Sequence, residues 1–276
     1  MSVVLGLFAA VAVAYAVTAT PAIQTTTPRI ESKMTNIDVL RQQIKNYYGV
    51  PMAATGASGT WADPLVADSN YAKEALAVEK KGAAWLHSHA GKSPKQAIIL
   101  DVDDTSLATF NYELYSNWDY NPTTNADFVT NGRFPAVPGM VALANQALTE
   151  GYAIVFLTGR PATQEAATLA NLTKPGVEYP APTALPDAVL GGGTDGIFTK
   201  PAIADYPLYL TTACAVELAA VPAKSCTTIH YKSATRGYIE SLGYDIVANF
   251  GDQYSDFTGG FADKTFKLPN PSYYLP

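Results

Sequence analysis

The sequence predicts an α/β sandwich built on a largely parallel sheet, and three observations carry that expectation. "AIILD" (97–101), "AIVFL" (153–157) and "DIVANF" (245–250) are continuous apolar runs rich in Ile and Val. Each is followed by turn-formers, as strands buried on both faces usually are. Between them lie the helical patterns "PGMVALANQALTEGY", "PATQEAATLANL" and "SATRGYIESLGY", started by Pro or Ser and several ended by Gly. Strand and helix therefore alternate, which is the signature of a parallel sheet covered on both faces. Lastly, polar motifs recur just beyond the strands, where ligands bind in such sheets.

Taken in order, residues 3–17, "VVLGLFAAVAVAYAV", form an apolar run before the first charge at Arg29. Fifteen residues suit a signal-peptide core and are short of the roughly 20 that a membrane span needs. We read residues 1–28 as a signal peptide with a Thr/Pro-rich tether, followed by export to the periplasm, cell surface or medium. A retained membrane anchor is the alternative, since no Lys or Arg precedes the run. Residues 29–276 then form a single domain. "NIDVLRQQIKNYYG" and "YAKEALAVEKKGAAWLHSHAG" read as two N-terminal helices, with His87 and His89 on different faces in surface or capping roles. Residues 106–136, polar and aromatic with Tyr112, Tyr115, Trp118 and Tyr120, read as a long loop after the first strand, of a length that is usually functional or disordered. Residues 174–205, with "GGGTDG", read as a surface excursion.

Composition narrows the function. A net charge of −6 supplies no basic field for nucleic acid. Charged residues are 15% of the chain, against roughly 25% in ordinary globular proteins. Cys214 and Cys226 are the only cysteines, an even pair that in an exported chain suits a disulfide and in a reducing compartment two buried thiols. A bridge would close a hairpin leading toward Lys232. With no Cys/His cluster, a zinc site is not expected.

The chemistry collects at the carboxyl ends of the three strands: "DVDDT" at 101–105, "TGR" at 158–160 and "GDQYSD" at 251–256. Asp101 and Asp103, two apart, point to one side of an extended backbone, and Asp252 and Asp256 arrive from the third strand. Four carboxylates in one crevice must take up protons or a cation. Oxygen ligands alone favour Mg²⁺. Asp104 is read as a bystander that caps a helix or sits solvated in the turn.

These motifs resemble those of the haloacid dehalogenase (HAD) superfamily. "ILDVDDT" is similar to its Asp-x-Asp-x-Thr motif, "VFLTGR" to its second, Lys232 in "YKSATR", read as just ahead of a helix, to its third, and "GDQYSD" to its fourth, spanning residues 97–256. The N-terminal helices, "TGRP" and "NFGDQYSD" look most like the secreted acid phosphatases, the class C and plant storage-protein-like group, although Asp104 stands where that group commonly has Glu. The resemblance implies a HAD-like Rossmannoid three-layer sandwich with a mainly parallel sheet, N-terminal helices and a small cap insertion at about 106–136, whose Tyr112, Tyr115, Trp118 and Tyr120 would form the cap's own core or, as the second reading, stack a nucleobase or aryl leaving group. It implies an Mg²⁺-dependent acid phosphatase acting on a small phosphate monoester, a nucleotide or aryl phosphate among the options. Asp101 would be the nucleophile and Asp103 the acid and base. Thr158 would hydrogen-bond a phosphoryl oxygen, and Lys232 would neutralise charge and steady Asp101. Mg²⁺ would be held by Asp101, the Asp103 backbone carbonyl, Asp252 and Asp256. A storage or surface-binding protein on the same scaffold and a phosphotransferase are the alternatives. The sequence leaves the oligomeric state open, and Arg160 and Arg236 as either structural or phosphate-binding.

Overall fold

The computed structural model describes residues 30–50, 66–186 and 195–275. The expected signal peptide and tether, and most of "GGGTDG", lie outside the described residues. No described helix is long and apolar enough to cross a membrane.

In chain order the elements are α1 (Ile37–Tyr47), α2 (Asn70–His89), β1 (Gln96–Leu100), α3 (Phe110–Ser116), α4 (Pro122–Thr130), α5 (Met140–Thr149), β2 (Ala153–Pro161), α6 (Glu165–Thr173), β3 (Ile197–Lys200), α7 (Leu208–Ala213), α8 (Ala215–Leu218), α9 (Thr228–Ser241), β4 (Asp245–Gly251) and β5 (Thr265–Lys267). Helix starts are marked chemically. Asn36, Ser69, Asn121 and Thr227 each accept backbone N–H groups of the turn that follows, satisfying donors with no intrahelical partner. The strands pair in parallel in the order β3-β2-β1-β4-β5.

Alternation along the strands builds two cores. Ile98 and Leu100 of β1 with Ile154 and Phe156 of β2 face one side, joined by Leu86, Leu143 and Phe250. Ile99, Val155 and Leu157 face the other, joined by Leu210, Tyr231 and Ile239. The result is the expected three-layer α/β sandwich. At Gly82 a Cβ would lie 2.5 Å from the Phe250 ring, so α2 reaches the sheet this closely only because the position has no side chain.

Two expectations about connections are corrected. Residues 174–205 are not wholly a surface excursion, because they carry β3, whose Ile197 and Phe198 pair with Phe156 and Leu157 and are buried. The Cys214–Cys226 disulfide is formed, but the segment it closes is no hairpin. Local i to i+4 bonds from Leu218 N to Cys214 O and from Ala219 N to Ala215 O make its start the short helix α8, and the rest up to Cys226 is irregular.

The 106–136 segment starts and ends side by side, with Leu107 bridged to Ala136 and Ala108 N donating to Pro135 O at 2.8 Å. Its Tyr112, Phe128 and Phe134 belong to the main core, while Tyr120 stays exposed. Of the four aromatics singled out in the sequence, Tyr112 and partly Trp118 pack on the main core rather than on a separate core of the segment, and Tyr115 and Tyr120 are exposed.

Candidate active site

β1 leads through α5 to β2 on one side, whereas β4 returns on the other. The strand order thus reverses at the carboxyl end of β1, which opens a crevice there. Asp101 follows β1 directly, its N–H donating to Phe250 O of β4 at 3.0 Å. A tight turn then follows, with Ser106 Oγ donating to Asp101 O at 2.6 Å and Asp104 in the left-handed region at φ 53°. Asp252 leaves the end of β4 on the opposite wall.

Lys232 joins the walls. Its Nζ donates to Asp101 Oδ1 and Asp256 Oδ1, each at 2.5 Å. It lies inside α9 rather than just ahead of a helix, because the Thr227 cap, accepting from His230 N at 3.2 Å, starts the helix one turn earlier than the sequence suggested. Asp256 Oδ2 accepts Gln253 N at 2.8 Å. This fold-back requires Gly251, where a Cβ would sit 2.3 Å from that oxygen. The fully buried Arg236 pins the same loop through the carbonyls of Asp256, Thr258 and Gly260, which is a structural role.

The side chains of Asp101, Asp252 and Asp256 are all buried, with a carboxylate oxygen of each within 4.8 Å of the others. Burial pushes Asp252 well above the usual carboxylate value, and the Asp256 and Asp101 charges push it further. Burial also raises Asp101, against the pull of Lys232. For Lys232, burial opposes charge, but Asp101 and Asp256 outweigh it and hold the ammonium above its ordinary value. The ammonium therefore stays charged between its two partners, and the excess negative charge falls on Asp252, which touches no cation.

Asp103 lies outside this cluster. Arg160 Nε donates to both its oxygens at 3.2 and 3.0 Å, and Nη2 donates to Oδ1 at 2.6 Å. The guanidinium is fixed in turn by Thr168 Oγ1 and lies 5.3 Å from the centre of the Phe134 ring. Thr158 is buried in β2, and its Oγ1 accepts Arg160 N at 3.2 Å. Asp104 is buried rather than solvated, accepting Thr109 N at 2.9 Å and Thr109 Oγ1 at 2.5 Å beside α3. Neither half of the expectation for Asp104 describes it: it is not solvated, and it holds Thr109, the residue before α3, rather than the N–H groups of the helix's first turn.

Four carboxylates, Asp101, Asp103, Asp252 and Asp256, thus meet two cations, Lys232 and Arg160. With all four ionised there is a surplus of two negative charges, which burial resists and which a hard divalent cation, bound by oxygen donors alone, would balance. Sequence reading had weighed Arg160 without seeing its grip on Asp103. It missed Thr105, whose Oγ1 lies 3.4 Å from Asp252 Oδ1, and Gln253 and Asn270, which donate to Asp252 Oδ2 at 2.6 and 2.7 Å. Thr105 and Gln253 lay within quoted motifs; Asn270, in an irregular tail, gave no signal.

A family model described as HAD superfamily, subfamily IIIB (Acid phosphatase), matches residues 19–188 and 216–276. The chain belongs to this family. The "Stem 28 kDa glycoprotein" of Glycine max is 31% identical over 187 residues, covering 66% of this chain and 61% of that protein. "Acid phosphatase 1" of Solanum lycopersicum is 29% identical over 191 residues, covering 67% and 61%. "Vegetative storage protein 2" of Arabidopsis thaliana is 25% identical over 222 residues, covering 78% and 70%. The matched region spans 52–61% of the length of the soybean and tomato relatives. The HAD fold is also that of the class C acid phosphatase from Bacillus anthracis with tungstate bound, at TM-score 0.56, 18% identity and coverage of 85% and 86%.

Proposed function

We propose that this chain is a divalent-cation-dependent acid phosphatase that hydrolyses small phosphate monoesters through an aspartyl-phosphate. The observation that carries the reading is Lys232, whose Nζ donates to Oδ1 of Asp101 after β1 and to Oδ1 of Asp256 after β4, so that one buried ammonium fixes the acidic groups of both strands at one point. Asp101 Oδ2 attacks phosphorus as the bond to the leaving oxygen breaks, and Asp103 gives that oxygen its proton. Water then attacks the phosphorus, Asp103 takes a proton from it, and Asp101 is released as carboxylate with free phosphate as product. Lys232 favours the ionised form of Asp101 against the effect of burial and orients it, and the Thr158 hydroxyl, accepting from Arg160 N, has its own proton to donate to a phosphoryl oxygen. Asp101, Asp252 and Asp256, with the Asp103 carbonyl, would hold the cation, Mg²⁺ by the chemistry of the donors. When bound, it screens the repulsion between the anionic ester and the attacking carboxylate.

Residues 29–276 act as one domain in this reading, with 106–136 as a cap beside the crevice. Export is supported by the apolar N-terminal run, the disulfide and the description of a relative as a glycoprotein.

The test is release of p-nitrophenol from its phosphate ester with Mg²⁺ and with EDTA, for wild type and Asp101→Asn. Turnover is expected only for wild type with the cation, and Asp101→Asn should lose at least about 10³-fold. Metal-independent turnover that survives the substitution overturns the mechanism. The names of the storage-protein relatives favour a second reading, a non-catalytic scaffold; a folded wild type that binds Mg²⁺ and turns over no ester would establish it.

A further inference from the structure

The geometry points to Asn270 as a positioning residue for Asp252, and to residues 268–275 as a strap that completes the acidic crevice. This rests on the reading of Asp252 as a cation ligand. Asn270 Nδ2 donates to Asp252 Oδ2 at 2.7 Å, and Gln253 Nε2 donates to the same oxygen at 2.6 Å. Two carboxamides therefore occupy one carboxylate oxygen and leave Oδ1, which meets the Thr105 hydroxyl at a long 3.4 Å, as the oxygen able to ligate.

The strap determines which way both amides face. Asn270 Oδ1 accepts Ser272 N at 2.8 Å, and Gln253 Oε1 accepts Leu275 N at 3.0 Å. Because each amide oxygen is engaged by a backbone donor, each amide nitrogen must point to Asp252. The strap itself is anchored. Leu268 N donates to Gly251 O at 2.7 Å, and Leu268 is fully buried. Pro269 and Pro271 flank Asn270 and restrict its backbone. Asn270 Nδ2 also lies 3.4 Å from Asp104 Oδ2, so the same amide touches the loops that follow β1 and β4.

Removing the Asn270 amide leaves Gln253 as the one amide on Asp252 Oδ2 and loosens the carboxylate's orientation toward Asp101 and Asp256. Outer contacts of this kind commonly change metal affinity about 10- to 100-fold. The experiment is calorimetric titration of EDTA-stripped protein with Mg²⁺, for wild type, Asn270→Ala, Asn270→Gln and Asp252→Asn, alongside turnover against Mg²⁺ concentration.

Asn270→Ala is expected to weaken Mg²⁺ about 10-fold or more, with a turnover loss that shrinks as Mg²⁺ is raised, and Asn270→Gln to recover part of the affinity. Wild-type affinity in Asn270→Ala, with binding lost in Asp252→Asn, overturns the positioning role alone. Unchanged binding in Asp252→Asn overturns the underlying assignment instead. Should the Asn270 variants fail to fold, the side-chain amide resonance of Asn270 in the wild type decides. Movement on Mg²⁺ titration with the calorimetric midpoint supports the role, and a stationary resonance overturns it.

Discussion

On one side of β1 the Asp101, Asp252 and Asp256 side chains surround the approach to Lys232 with their residues 5% exposed or less; on the other, Asp103 keeps 33% of its side chain in solvent while Arg160 holds it by three contacts. Charge buried on the first side must be balanced inside the protein or by a cation, because water cannot do it. On the second side solvent shares the task. A sealed carboxylate keeps one geometry and suits a nucleophile, whereas an open one exchanges protons with water and suits an acid and base. The crevice therefore separates the two tasks by depth.

The change that tests this contrast hardest is Lys232→Met. Taking one partner from a buried ion pair leaves uncompensated charge, so a stability loss of about 3–5 kcal/mol is expected in urea melts. Turnover of p-nitrophenyl phosphate should fall on the order of 10²- to 10³-fold, as when one preorganised donor is removed. A variant as stable as wild type would mean that Asp101 and Asp256 are balanced by something other than Lys232.

Arg160→Ala asks the same question of the open side and should answer it differently. Asp103 gains solvent, so stability should fall by only about 1 kcal/mol, mostly through lost packing on Phe134. The rate should fall about 10-fold, part of the 10²–10⁴ that positioned proton transfer contributes. The loss belongs in kcat, and Arg160→Lys should not restore it, because an ammonium cannot make the forked contact. A KM-only effect would reassign Arg160 to substrate binding.

The same contrast of depth explains what could be read from the sequence. β1, β2 and β4 were legible because burial on both faces writes a continuous apolar run. β3 and β5, four and three residues long at the sheet edges, carry too few positions for a pattern. In the crevice, Asp101, Asp103, Thr158, Lys232, Asp252 and Asp256 announced themselves by motif and by their place at strand ends. The start of α9 did not, since the Thr227 cap precedes the residues that look helical. Nor did the Arg160 grip on Asp103 or the Asn270 hold on Asp252, which join residues 57 and 18 positions apart through side chains alone.

The smallest expected effect concerns Glu113, on α3 beside the open half. Burial raises its carboxyl from 4.5 to about 8, and the Asp104 charge adds to the rise. Both influences act in one direction, unlike those on Asp101, where Lys232 opposes burial. Between these two pH values the folded protein keeps a proton that the unfolded chain has released. Protons are then bound in excess by the folded state, so the Glu113 contribution to stability is fully present below pH 4.5 and declines as pH rises toward about 8. Glu113→Gln removes the titration while keeping shape, so its melting temperature, followed from pH 5 to pH 8 in EDTA, should fall less steeply than that of wild type. Parallel profiles would show that Glu113 is solvated enough to ionise at no cost, and would move the boundary between the sealed and open halves inward past α3.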